Sequence, residues 1–338
     1  TNNFYAAKNK IINGDFFVNQ RSFTSNTTNG AYNFDRWLQT NGGTTGTLTI
    51  TPQTFTPGTA PVAGYEGSTY VQCVTAAGAN TNTYAIFSQR IESVRTFAGQ
   101  TATVSFWAKA ASGTPKIAVE TEQLFGSGGS PSSAVTTAGG TATLSTSWAR
   151  YSVTVSVPSI SGKTIGTTAN TSSLGINLWL SAGSDFASRA SSIGLQNATF
   201  QIWGVQVESG STATAFQTAT GTIQGELAAC QRYYYRASAA ATGSRVGNFV
   251  GSGSTAPGGV IQNPVLLRTA ASAIDYLDIG FTLGDSTIYT VTAATLSGVT
   301  NTFTTMINLT TSASTTANAC GWIRFTSANG YVGVSAEL

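Results

Sequence analysis

Residues 101–109 read Thr-Ala-Thr-Val-Ser-Phe-Trp-Ala-Lys, and their period decides the fold. In an extended chain Val104, Phe106 and Ala108 share one face, while Ser105, Trp107 and Lys109 share the other, because successive side chains of a strand point to opposite sides. The same period of two recurs outward in both directions. Residues 149–157 set Tyr151, Val153, Val155 and Val157 against Arg150, Ser152, Thr154 and Ser156. Residues 176–181 set Ile176, Leu178 and Leu180 against Asn177, Trp179 and Ser181. Shorter alternations occupy 46–51, 116–124 and 199–207. Each reads as an antiparallel strand with one face buried and one wet. Turn-rich segments separate them, among them Asn41-Gly42-Gly43, Pro57-Gly58 and 126–131. Many strands joined by such turns, with almost no helical period, predict an all-β protein, a β-sandwich or jelly roll.

One segment departs from this period. Ile223, Leu227, Cys230 and Tyr234 recur at helical spacing, which predicts a short helix within a linker at 219–236, although Gly225 weakens it. Alternation returns after residue 260, as in Trp322-Ile323-Arg324-Phe325 and Tyr331-Val332-Gly333-Val334. The expected organisation is therefore an N-terminal arm at 1–9 and a jelly roll at 10–218. The helical linker and a smaller C-terminal β-sandwich at 237–338 follow.

Composition narrows the chemistry. The 338 residues contain no histidine, which removes Ser-His-Asp and Cys-His nucleophile systems and every His-containing zinc motif. Only 9% are charged, against ~25% in ordinary globular chains. With 16 Lys+Arg against 13 Asp+Glu, no basic surface for nucleic acid is expected. At 41% apolar the chain is too hydrophobic for the disordered class. Cys73, Cys230 and Cys320 lie far apart and form no CxxC pair, so buried free thiols are expected rather than disulfides. No apolar run reaches the ~18 residues of a membrane span, and the first residues lack a signal-peptide apolar core. Neither membrane insertion nor signal-peptide export is expected.

Several short motifs follow one another in a fixed order. Ile11-Ile12-Asn13-Gly14-Asp15-Phe16 is followed by Asn19-Gln20-Arg21 and Phe34-Asp35-Arg36-Trp37. Ser88-Gln89-Arg90-Ile91-Glu92, Ser105-Phe106-Trp107-Ala108-Lys109 and Ser147-Trp148-Ala149-Arg150-Tyr151 come next. Val205-Gln206-Val207-Glu208-Ser209-Gly210, Cys230-Gln231-Arg232-Tyr233-Tyr234 and the terminal Gly330-Tyr331-Val332-Gly333-Val334 complete the order. This series resembles bacteriophage tail-fibre or receptor-binding proteins whose jelly roll is like that of carbohydrate-binding modules. The resemblance implies a homotrimeric virion component that adheres to host surface polysaccharide and contacts other tail or capsid proteins. In many such modules an acid on the last strand helps hold a structural calcium. The corresponding strand here, Ile202–Glu208, lacks that aspartate, so no metal or cofactor is expected.

Sugar recognition needs aromatic faces beside amides, carboxylates and guanidinium groups. The strand parities put Trp107, Lys109, Glu120, Glu122, Arg150, Asn177 and Trp179 on the polar faces, and these are the candidate ligand-binding residues. Trp37 and Trp203 read as packing residues, the latter on the face of Val205 and Val207. Glu120 and Glu122, two apart on one strand, lie ~6.6 Å apart, near the low end of the ~6.5–9.5 Å of inverting glycosidases. Catalytic carboxylates flank the scissile bond from opposite sides, however, and these two point the same way. No enzyme activity is expected. The loop 126–131 lacks the Lys-Ser/Thr element of a phosphate loop and reads as a turn. Tyr233-Tyr234-Tyr235 read as packing. In the C-terminal domain Trp322 and Arg324 share a face opposite Ile323 and Phe325. The expectation is a non-catalytic receptor-binding protein of a phage virion. The alternative is a capsid fibre or cement protein, docked through an N-terminal arm that carries Phe4, Tyr5, Lys8 and Lys10.

Overall fold

The computed structural model describes residues 8–43, 46–62, 64–284, 287–298 and 300–338. Phe4 and Tyr5 of the expected docking arm lie outside them. The chain divides into two compact units, Thr1–Leu227 with Leu338, and Ala228–Glu337.

The first unit holds ten strands. They are β1 (Leu38–Gly42), β2 (Thr47–Thr54), β3 (Thr69–Ala76), β4 (Tyr84–Glu92) and β5 (Thr101–Ala110). After them come β6 (Lys116–Leu124), β7 (Val135–Thr143), β8 (Ala149–Ser156), β9 (Ser173–Ala182) and β10 (Ala198–Ser209). Two five-stranded antiparallel sheets form, in the orders β1-β4-β9-β6-β7 and β2-β3-β10-β5-β8. The chain switches sheet repeatedly as it proceeds, the topology of the jelly roll the alternation predicted.

The inward faces are those read from the period of two. Phe106, Val104 and Ala108 of β5 meet Ile176, Leu178 and Leu180 of β9, with Val153 and Val155 of β8, in one buried cluster. Burial of each large apolar side chain contributes roughly 1.5–3 kcal/mol. Trp37 is fully buried and stacks on Phe87 at 4.8 Å and 11°. The motifs at 11–37 are buried hydrogen-bonding groups. Asn13 donates through Nδ2 to the Val18 carbonyl at 2.8 Å, accepts from the Val18 amide at 2.9 Å, and offers its own carbonyl to Trp37 Nε1 at 2.9 Å. Asp35 accepts the amide and side-chain amide of Gln20, each at 2.7 Å. Lys8 pairs with Glu208 at 3.1 Å and the Lys10 amide donates to Val207, so this end of the expected arm packs along β10.

The helix α1 (Ile223–Gln231) lies where the spacing predicted it but stops short of Tyr234. Tyr234 opens the next strand, where its hydroxyl donates to Asp275 at 3.0 Å. The division between the units falls inside this helix.

Past the last turn of α1 the second unit is all-β, as expected. It contains β11 (Tyr234–Ser238), β12 (Arg245–Val250), β13 (Gly258–Gln262), β14 (Ala273–Leu277) and β15 (Ile279–Leu283). They are followed by β16 (Ile288–Leu296), β17 (Thr304–Thr311), β18 (Cys320–Phe325) and β19 (Tyr331–Ser335). Here the layers take a particular form. β12-β13-β17-β16-β15-β18 close into a six-stranded barrel, and β11-β19-β14 make a separate three-stranded sheet. Register shifts in β12 between Val246 and Phe249, and in β16 between Val291 and Ala293, supply the curvature that closure requires. The barrel interior is filled by Phe249, Ile261, Phe281, Ile307, Ile323 and Phe325. Cys73 and Cys230 are buried thiols, whereas Cys320 is exposed.

Candidate functional site

The seven residues proposed from strand parity divide between two faces. Glu120 and Glu122 on β6 and Asn177 and Trp179 on β9 come together on the outer face of the first sheet. There Glu120 is the register partner of Asn177, and Ala118 of Trp179. Trp107, Lys109 and Arg150 lie on the other sheet, where Trp107 is the partner of Arg150 across β5 and β8. Alternation fixes which side of a strand a residue occupies, but the sheet to which the strand belongs is a long-range matter.

On the first face a short cover follows β9. A 3-10 turn at Ser184–Phe186 leads into Arg189, which folds back over the sheet. Arg189 Nε donates to Glu120 Oε1 at 2.7 Å and Nη2 to Glu120 Oε2 at 2.9 Å. Asn177 Nδ2 at 2.9 Å and Trp179 Nε1 at 3.1 Å donate to the same Oε2. Four donors saturate this fully buried carboxylate. The hydrogen bonds to Glu120 hold the Arg189 pKa above its ordinary value, against the opposing effect of burial. Glu120 is thus the anchor of the site, and its expected role as a free hydroxyl acceptor is corrected.

Trp179 is corrected in the same way. It sits on the outer face, as the parity required, but is only 1% exposed. The Arg189 guanidinium lies over its ring at 5.2 Å, and Phe186 packs at 5.6 Å. The rings left half-buried beside it are Phe186 and Tyr84, which meet edge to face at 5.0 Å.

A cleft of about 310 Å³ remains, lined by Tyr84, Ser88, Glu122, Asn177, Phe186 and Arg189 among others. Its volume is at the lower end of the ~300–1,000 Å³ of small-molecule sites. Glu122 makes one long contact, 3.5 Å to Arg189, and keeps its second oxygen free. Asn177 donates one amide hydrogen to Glu120 and leaves Oδ1 as an acceptor. Two acceptors, a guanidinium and two half-buried rings therefore converge on a rigid sheet. Arg189 and Phe186 were not among the sequence candidates. They lie in a segment of Gly, Ser and Ala without a period, and only their residue types hinted at a role.

The second face is strapped shut. Residues 211–218 cross it, and Arg150 Nη2 donates to the Thr214 carbonyl and to Ser105 Oγ, the latter at 3.1 Å. Burial lowers the Arg150 pKa, while the nearby Glu208 charge raises it. Glu208 is fully buried and accepts the Thr214 amide, the Thr214 hydroxyl and Gln206 Nε2, each at 2.7 Å. Burial alone would raise its pKa, but these bonds and Lys8 hold it below the usual carboxylate range. Trp107 is half-buried, and a Cβ on Gly204 would come within 3.0 Å of its ring. Lys109 stacks over Trp148 at 5.4 Å. Trp107 and Arg150 are thereby packed at the strap rather than open to ligand, a correction of the sequence reading, whereas Lys109 stays partly exposed on Trp148. Trp203 is fully buried as expected, but it pairs with Trp107 rather than sharing the face of Val205 and Val207. A bulge between Trp203 and Gln206, with Gly204 at φ +63°, shifts the parity.

A larger cavity, about 400 Å³, lies among loops lined by Asp15, Phe17, Tyr65, Thr222 and Glu226. Its acids join loops, although the buried Oδ1 of Asp15 has no hydrogen-bond partner among the described residues. Asp15 accepts the Tyr65 hydroxyl at 2.8 Å, and Glu226 accepts the Asn13 amide at 2.8 Å and the Thr220 amide at 2.7 Å. Burial raises the pKa of both carboxyls. Among the described residues no group of three His, Cys, Asp or Glu is placed to hold a metal ion.

No family model matches the chain, and no curated protein matches its sequence. Several solved structures are similar to it. The enzymatically active domain of tailspike protein 4 of bacteriophage CBA120 is 15% identical with a TM-score of 0.33, over 60% of this chain and 21% of that one. This chain thus spans about a fifth of the tailspike structure. The CBM22-2 xylan-binding domain of Paenibacillus barcinonensis Xyn10C is 16% identical with a TM-score of 0.31, over 53% of this chain and 94% of that one. The family 11 carbohydrate-binding module of Clostridium thermocellum, in complex with a mixed-linked tetrasaccharide, is 9% identical with a TM-score of 0.32, over 57% of this chain and 100% of that one. These likenesses are distant, and the functional reading stands on the geometry of the cleft.

Proposed function

We propose that the first unit binds glycan in the cleft over β4, β9 and β6, and that the chain is a non-catalytic, homotrimeric receptor-binding protein of a phage virion. The observation that carries the glycan reading is the pairing of free acceptors with half-buried rings. Glu122 and Asn177 Oδ1 can take sugar hydroxyls, while Tyr84 and Phe186 offer apolar faces to the C–H side of a ring. Glu120 and Arg189 hold the floor in place, which limits the entropy lost on binding. Glu120 supports the non-catalytic reading. Its oxygens are saturated by donors, and Glu122 stands on the same side of the same strand.

The virion setting rests on the resemblance carried by the ordered motifs. A small cleft gives a weak site, and three copies per fibre would multiply it into useful avidity. The test is capture of the purified chain on host envelope polysaccharide, compared with capture on assembled phage heads. Capture on polysaccharide without release of reducing ends is expected. Release of reducing ends would overturn the non-catalytic reading. Capture on heads alone would replace the receptor-binding reading with that of a capsid fibre or cement protein.

A further inference from the structure

Trp322 and Arg324 share the outer face of β18, and the structure gives them a third member. Ile323 and Phe325 point into the barrel core, so Trp322 and Arg324 point out. Across the β12–β18 ladder the register partner of Arg324 is Arg245. Like charges directly opposite on a sheet destabilise it. Arg245 does not turn away from this neighbour's strand. Its guanidinium lies over the Trp322 ring at 4.9 Å, so one cation rests on the indole while Arg324 shares the outer face beside them.

The surroundings leave room for the long side chains. On β15 the partners of Arg324 and Trp322 are Gly280 and Thr282, both small. Gly243, at φ +93°, carries the preceding turn past Arg324, and a Cβ there would lie 3.3 Å from Nη2. Counter-charge is not supplied from within the described residues. Asp275 takes the Tyr234 hydroxyl and Asp278 the Ser327 hydroxyl at 2.7 Å, while the guanidinium groups of Arg245 and Arg324 have no ion-pair or hydrogen-bond partner among the described residues.

We propose that Arg245, Arg324 and Trp322 form an anion-reading site for an acidic sugar, separate from the cleft of the first unit. A carboxylate or phosphate substituent would accept from the two guanidinium forks, whose planar donors match such oxyanions. The apolar side of the sugar would rest against the indole. A nucleic-acid track is a poorer fit, because binding to a phosphate backbone draws on many cations. Residues 228–337 contain no lysine, and the whole chain carries only +3. The site selects for charge on a glycan, whereas the cleft offers acceptors to neutral hydroxyls.

The experiment titrates the full chain, at low salt, with trigalacturonate, its neutral methyl ester, glucose 6-phosphate, inorganic phosphate and a thymidine decanucleotide. Tryptophan fluorescence and calorimetry are the readouts. Trigalacturonate or glucose 6-phosphate is expected to bind, and the tighter of the two identifies the carboxylate or phosphate source. Arg324→Gln and Arg245→Gln should each weaken that binding ~10-fold, the size expected for a lost charge-assisted hydrogen bond. Arg324→Gln should melt at or above the wild-type temperature, since it relieves a like-charge pair. A fall in melting temperature together with unchanged binding would make the arginines structural and overturn the proposal. Equal binding of the methyl ester, of inorganic phosphate or of the decanucleotide would overturn the acidic-sugar assignment. Glu122→Gln in the cleft should leave this binding unchanged, which keeps failure here distinct from failure of the cleft reading.

Discussion

The two outer faces of the first unit are built from the same parts and end differently. Each carries a fully buried glutamate, an arginine and a tryptophan: Glu120, Arg189 and Trp179 on one, Glu208, Arg150 and Trp107 on the other. Each is crossed by a segment that follows a long strand. On the first face the crossing segment reaches the buried acid through the Arg189 side chain and packs Phe186, Ala190 and Ile193 around Trp179, its Gly194 carbonyl meeting only the end of β9 at the Ala182 amide, and a cleft stays open beside them. On the second face the crossing backbone itself binds, with the Thr214 amide on Glu208 and the Thr214 carbonyl on Arg150. Backbone contact brings the strap down onto the sheet over Arg150 and Glu208. A buried acid anchors a cover in both cases, reached by a side chain alone at Glu120 and by the Thr214 backbone together with its hydroxyl at Glu208.

The largest expected effect comes from removing the first anchor. Glu120→Ala leaves Arg189, Asn177 and Trp179 without their acceptor and should cost about 3 kcal/mol, as when one partner of a buried pair is lost. Urea unfolding measures it, and glycan binding should disappear with the cleft floor. On the closed face Thr214→Val removes one donor to Glu208 and should cost about 1 kcal/mol, with glycan binding unchanged. If Thr214→Val abolished binding, the two faces would not be independent.

Acid sharpens the contrast next. The Glu208 pKa is depressed in the fold, so its stabilisation is complete above its ordinary value and is lost as the pH falls through the depressed one. Asp15 and Glu226 have raised values, so their contribution is complete below the ordinary range and is lost as the pH rises through the raised values. Unfolding midpoints measured across the acid range should therefore fall less steeply toward low pH in Glu208→Gln and more steeply in Asp15→Asn. The smallest effect is expected from Lys109→Ala, about 0.5 kcal/mol for an exposed cation–π contact, with no change in binding.

Much of this comparison was legible in the chain. The period of two placed Phe106, Ile176 and Val153 inward and Asn177, Trp179 and Trp107 outward, because side-chain direction in a strand is a local property. Which sheet a strand joins is set by long-range pairing, so one list of polar-face residues mixed an open face with a closed one. Outward also failed to mean wet. Arg189 covers Trp179 from a segment with no period, and Thr214 straps Arg150 from another. One bulge at Gly204 was enough to move Trp203 off the face of Val205. In the second unit Trp322 and Arg324 were visible as neighbours on one strand, whereas Arg245 joined them only through the β12 register.

The central claim is that the open face binds glycan and the strapped face does not. Calorimetric titration of host polysaccharide into the full chain tests it with three proteins: wild type, Glu122→Gln with Phe186→Ala, and Trp107→Phe. The account predicts ~10-fold or greater weakening in the double cleft variant, for a lost hydrogen bond and a lost ring contact, and wild-type affinity in Trp107→Phe. Wild-type affinity in the double cleft variant, with binding lost in Trp107→Phe, would contradict it.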